Sequence, residues 1–151
     1  MSTKISATIV ADSIGPNKNR LTTMLITFPR FILAELNTHR MLSKNSASSR
    51  AIPFNKMIES VKNNPFIPIA WMKDHKGMQG MEYFSEEDVI ISLNNVWLDA
   101  RDSAISNALD LSIGDGEIEL TKQLCNRLLE PFMWHTVLIS GTEFSNFFNL
   151  R

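Results

Sequence analysis

Polar and apolar residues alternate from the start of the chain. Ile5, Ala7, Ile9 and Ala11 interleave with Ser6, Thr8 and Val10, a period of two that predicts a half-buried strand. Asp12–Asn19, with Gly15-Pro16 as its breaker, predicts a loop. Residues 21–28, rich in Thr, Leu and Ile, predict a second strand antiparallel to the first. Pro29 suits the first position of a helix, carried by Phe31-Ile-Leu-Ala-Glu-Leu to about Leu42. On that helix Ile32, Leu36, His39 and Ser43 share a face, with His39 and Arg40 in the last turn, where positive charge suits the helix dipole. Glu35 lies one turn before His39, and contact between them would favour the protonated imidazole. A serine-rich loop follows, up to Pro53, which bars any helix from continuing.

Further on, residues 55–63 predict a short helix with Met57, Ile58 and Val61 as its stripe. Residues 65–80 are irregular; Trp71, Met72, His75 and Met78 there suit either a surface loop or a lid over a site. Ser85-Glu-Glu-Asp88 resembles a capping box and opens a long helix to about Ile113. Its stripe of Val89, Leu93, Val96, Trp97, Ala100, Ala104, Ala108 and Leu111 reads as core or subunit interface. Gly114–Gly116 predicts a turn, 117–129 a helix, and 132–140 a third strand centred on Val137, Leu138 and Ile139. A last helix starts at Thr142, with Phe144, Phe147 and Phe148 inward and Thr142, Asn146 and Asn149 on a polar face. The expected class is α+β, one domain over 1–151 with a small, mostly antiparallel sheet covered by helices.

Composition narrows the functional classes. The 151 residues are 44% hydrophobic and 21% charged, ordinary for a globular protein. A net charge of −1 implies no general attraction to nucleic acid or to an anionic membrane. Cys125 is the only cysteine and sits in an apolar helical pattern, as a small core residue does. The three histidines are far apart and no metal-ligand spacing occurs. No signal-peptide pattern or membrane-length apolar run is present, so an intracellular, cytoplasmic location is expected.

The chemistry concentrates in one stretch. From Asn37 to Ile58 there is no Asp or Glu, while Arg40, Lys44, Arg50 and Lys56 alternate with serines and Asn45. Fixed cations among small hydrogen-bonding groups suit an anionic ligand such as a nucleotide phosphate. A solvated helix-to-loop junction has the same composition. Binding of single-stranded nucleic acid is disfavoured, because Phe and Trp do not alternate with these cations as a stacking surface requires.

This stretch resembles the signature of flavin-dependent thymidylate synthases, His-Arg-x-x-Ser-x-Asn-x-x-Ser-x-Arg, through His39, Arg40, Ser43, Asn45, Ser48 and Arg50. A second block, Arg127 to Pro131 and Asn146 to Arg151, resembles that family's Arg-x-x-x-Pro and Asn-Phe-x-x-Leu-Arg elements. The resemblance, which extends over roughly residues 20–151 and is greatest to short bacteriophage members, implies an enzyme that converts dUMP to dTMP. Methylenetetrahydrofolate and NADPH would be co-substrates and FAD the cofactor, with no protein nucleophile, no metal, no membrane and no nucleic acid. It implies that Ser48 and Arg50 bind the dUMP phosphate, that His39, Arg40, Asn45 and Asn146 contact FAD, and that Arg127 and Arg151 reach the pyrimidine. It also implies a homotetramer with sites built between subunits.

The residues also allow plainer roles. Arg127 suits a helix surface, Arg151 can lay its stem on Phe144 and Phe148, and Asn146 suits solvent. The sequence departs from the family at Thr38, where an Arg is usual, and at Glu35, near a usual Gln. It departs again at 17–23, which lacks a flavin-holding His and Glu, and at Ser140 and Thr142. Family members continue past the position of Arg151, so an incomplete C-terminus and weak activity of this chain alone are expected. The alternative expectation is a non-catalytic nucleotide-binding or assembly module with a degraded flavin site.

Overall fold

A computed structural model describes residues 5–48, 50–77, 80–113 and 120–149. Its centre is a four-stranded antiparallel sheet of β1 (Ser6–Ile14), β2 (Arg20–Pro29), β3 (Ser43–Ser46) and β4 (Trp134–Gly141), in the order β1-β2-β4-β3. The helices are α1 (Leu33–Asn37), α2 (Phe54–Asn63), α3 (Glu87–Ile113), α4 (Lys122–Arg127) and α5 (Ser145–Asn149), with single 3₁₀ turns at Arg30–Ile32 and Glu130–Phe132. The class is α+β, as expected.

The sheet is two-faced because its pleat sorts side chains by parity. Met24, Ile26 and Phe28 of β2 and Val137 and Ile139 of β4 point to the helices. They pack with Leu36, Leu42, Phe144 and Phe147. The opposite face carries Thr23, Leu25, Thr27, Thr136, Leu138 and Ser140, and no described helix covers it. Its hydroxyls pair across strands, Thr27 with Thr136 at 2.9 Å and Thr23 with Ser140 at 2.8 Å, and so satisfy one another. A second cluster lies beside the sheet, where Met57 and Val61 of α2, Ala108 of α3 and Leu129, Phe132 and Met133 pack together. Phe66 joins the two regions, its ring 5.3 Å from those of Phe31 and Trp134 and 6.3 Å from Trp97.

Several expectations are corrected. The first strand exists, but every residue of β1 is exposed instead of half-buried. Ile5, Ala7 and Ile26 border a cavity of about 440 Å³ toward Ile32, Leu36 and Phe147, because the five-residue helices α1 and α5 leave a gap at this edge. The helix after Pro29 stops at Asn37, not Leu42. Pro29 closes β2 and a 3₁₀ turn precedes α1. Thr38 Oγ1 donates to the Glu35 carbonyl at 2.7 Å, a local bond that competes with further helix. His39 and Arg40 therefore lie in the turn beyond the helix. Ser43 is not on its face but on β3, a strand that lacks the apolar alternation used to find the others.

The helix expected over 117–129 is only α4. Thr121 is extended, and residues 114–119, with the expected Gly114–Gly116 turn, lie outside the described residues. Phe148 is 63% exposed and is not core. The stripe of α3 is only partly used. Ala108 is buried and Trp97 and Ala104 pack on the core, while Val96 and Leu111 are exposed. A helix of 27 residues, about 40 Å long, outruns the small core it touches. In the described part of 65–80, Trp71 and Met72 make contacts to α3 and to Tyr83. Trp71 donates to Asn94 of α3 at 3.0 Å and stacks edge-on to Trp97, and Met72 bridges to Tyr83; Met78 lies outside the described residues. Cys125 is fully buried, as expected of a core residue. Among the described residues no helix is long and apolar enough to cross a membrane.

Candidate functional site

The turn after α1 forms one wall of a pocket. The His39 amide donates to Leu36 O at 3.2 Å, and the Leu42 amide donates to His39 O at 3.3 Å, which folds 39–42 tightly. Leu42, 5% exposed, anchors the turn in the sheet core. Gly141 of β4 makes room for it, since a Cβ there would lie 2.9 Å from Leu42 Cδ2. Lys44 Nζ donates to His39 O at 2.6 Å and to Leu42 O at 3.1 Å.

The other wall is the start of α5. Glu143 Oε1 accepts the Ser145 amide at 2.7 Å, and hydrogen bonding to the Ser145 side chain, then to its amide, holds the Glu143 carboxyl below its usual range. Asn146 and Phe147 follow on the first turn. The His39 ring stands edge-on to Phe147, centroids 4.8 Å apart. Between the walls is a pocket of about 330 Å³ bordered by Thr38, His39, Arg40, Glu143, Asn146 and Phe147. The side chains of Arg40 and Asn146 are exposed. The pocket thus offers an aromatic wall, an imidazole, an amide and a guanidinium, with the Glu143 carboxylate among them, a set suited to a flat, hydrogen-bonding ligand.

His39, Arg40 and Asn146, proposed from separate motifs, therefore meet at one place. Of the remaining candidates, those among the described residues do not border this pocket. Asn45 pairs with Leu138 on β4 and stands on the uncovered sheet face. Ser48 and Arg50 are exposed beyond β3, where Ser48 O accepts the Ala51 amide at 3.0 Å. Arg127, half exposed, ends α4 with its Nη1 3.7 Å from Glu130 Oε1. Arg151 lies outside the described residues. Glu35 lines the 440 Å³ cavity, and among the described residues no ion pair joins it to His39.

Two groups were not legible as site residues. In the sequence Lys44 reads as one more cation and Glu143 carries no motif, because both act on main-chain atoms of neighbours. A further ionic group also carries no motif. Arg30, which opens the 3₁₀ turn after β2, donates to Glu130 Oε1 at 3.2 Å and to His135 Nδ1 at 2.9 Å. Burial, then the Arg30 charge, pushes the His135 pKa down to about 4. Its only trace in the sequence is a His within the alternating run of β4.

Neither a family model nor a curated protein sequence matches the chain. Solved structures do match. The UMP/dUMP methylase PolB from Streptomyces cacaoi bound with 5-Br UMP superposes with a TM-score of 0.67 at 14% identity, over 93% of this chain and 72% of that one. The same protein with 5-Br dUMP gives 0.66 at 13% identity, over 93% and 74%. At such identities the likeness concerns the backbone, so the chain has the α+β fold of these methylases.

Proposed function

We propose that the chain is a flavin-dependent thymidylate synthase-type enzyme, which methylates the uracil ring of dUMP with methylenetetrahydrofolate as one-carbon donor and NADPH as reductant. The observation that carries this reading is the pocket where His39, Arg40 and Asn146 converge. The fold likeness to proteins described as UMP/dUMP methylases supports a uridine nucleotide as substrate. FAD fits the donor set of the pocket, with Phe147 and His39 against a ring, Asn146 for its polar edge and Arg40 for negative charge. When bound, FAD would supply the hydride chemistry that no side chain here provides.

The chain's own residues bind and orient. Arg40 places a permanent positive charge at the pocket mouth. Ser48 and Arg50, both solvent-facing, suit the dUMP phosphate, and Arg127 and Arg151 are assigned to the pyrimidine. Ser48, Arg50 and Arg127 do not border the pocket in one chain, so in this reading neighbouring copies in a homotetramer complete each site. The open sheet face and the exposed apolar positions of α3 favour such packing.

A second reading, a nucleotide-binding module without flavin chemistry, is favoured by Thr38 serving as a helix cap and by the Glu143 carboxylate at the pocket. The deciding experiment measures flavin absorbance of the purified protein and dTMP formation with FAD, NADPH and methylenetetrahydrofolate. Nucleotide binding without flavin or turnover would replace the first reading by the second.

A further inference from the structure

We propose that Lys44 is a positioning residue of this pocket: its ammonium clamps the turn from His39 to Leu42 and so sets where His39 and Arg40 stand opposite Asn146. The parity of β3 puts Lys44 opposite Ile139, on the helix side of the sheet, half-buried. A half-buried ammonium needs acceptors. Among the described residues it has no carboxylate partner at ion-pair distance. Its acceptors are two main-chain carbonyls, His39 O at 2.6 Å and Leu42 O at 3.1 Å. The other bond to His39 O, from the Leu42 amide, is longer at 3.3 Å, near the outer limit for an N–H···O bond. The charged bond is therefore the stronger tie on that carbonyl.

The turn is held at three points: Leu42 in the core, the His39 ring against Phe147, and Lys44 beneath the backbone between them. Arg40 and Met41 at its tip are exposed, and Met41 is 73% so. Loss of the ammonium leaves Leu42 seated and frees the backbone that carries His39 and Arg40. The effect is local to the pocket wall.

The test compares Lys44→Met, which keeps the length and loses the donor, with Lys44→Arg, which keeps donors and charge. The first readout is the His39 imidazole resonance by NMR, displaced in the wild type by the Phe147 ring and assigned by its loss in His39→Gln. The second is FAD affinity, and this part rests on the proposed function. In Lys44→Met the His39 resonance is expected to move toward its free-imidazole position, and FAD affinity to fall about tenfold to a hundredfold. The thermal midpoint should change little, and Lys44→Arg should restore both readouts. An unmoved His39 resonance in Lys44→Met, or equal losses in Met and Arg variants, overturns the clamp. A wild type that binds no FAD sinks the cofactor reading, and the His39 resonance then decides the clamp alone. Lys44→Gln, with a shorter donor, serves the same comparison where Lys44→Met does not fold.

Discussion

Arg30 donates to Nδ1 of His135 at 2.9 Å, and this bond requires an unprotonated ring nitrogen, because a guanidinium has no lone pair to offer in return. His135 is 5% exposed and its ring stands edge-on to Phe28, so neither solvent nor an anion welcomes a second proton. The Glu130 carboxylate accepts from the other terminal nitrogen of Arg30, Nη2, at 3.2 Å. The imidazole is thus part of the scaffold, holding the end of β2 against the start of β4.

This arrangement fixes a pH dependence. The unfolded chain takes up a proton at His135 near pH 6.5, the folded chain only near pH 4. Between these values the unfolded state binds more protons, so stability falls as pH drops, by on the order of 3 kcal/mol at full extent. Above pH 6.5 the group contributes no slope. Urea unfolding of wild type and His135→Gln at pH 7.5 and pH 4 should show a smaller acid loss in the variant. Equal losses would remove His135 as the cause.

Gly141→Ala is expected to cost about 1–3 kcal/mol through overpacking. The new methyl would lie 2.9 Å from Leu42 Cδ2 and 3.4 Å from the Phe144 ring, both confined between sheet and helix. Thermal denaturation measures the cost. An unchanged midpoint would mean that Leu42 can move aside freely, which its burial argues against.

Arg50→Ala should weaken dUMP binding by about 1.5–3 kcal/mol if the guanidinium bonds the phosphate. The side chain is exposed and makes no described contact that the fold depends on, so stability should not change. Calorimetry gives both numbers. Wild-type affinity in the variant would take Arg50 out of the site.

In solution the chain is expected to be a homotetramer. Ile9, Val10, Ile14, Leu21 and Leu25 of the edge hairpin are all more than 40% exposed, as are Ile91 and Val96 of α3. Such apolar surface commonly marks contact between chains. Light scattering at micromolar concentration provides the check. A monomer would count against the oligomer and against sites shared between copies.

The strands β2 and β4 were legible because they alternate and one face of each is buried. Ser43–Ser46 was not. It contains no apolar residue, and only its pairing with β4 makes it a strand, a case of tertiary context overriding local pattern. The end of α1 was misread because the apolar spacing continues through His39, whereas Thr38 ends the helix by bonding its own backbone. In the candidate site, His39, Arg40 and Asn146 are visible as motif residues. Lys44, Glu143 and Arg30 act on backbone or on distant partners, and such roles need coordinates.

The strand β3 also constrains how this chain can change. Ser43 and Asn45 face the open side of the sheet, and Lys44 and Ser46 the helix side. Two sets of duties thus share one short segment in alternating register. A substitution disturbs one duty and leaves its neighbours in place. Deletion or insertion of a single residue there would exchange the sets, turning an ammonium outward and an amide toward Leu42 and Ile139. The segment should therefore accept many single replacements while rejecting every one-residue change in length.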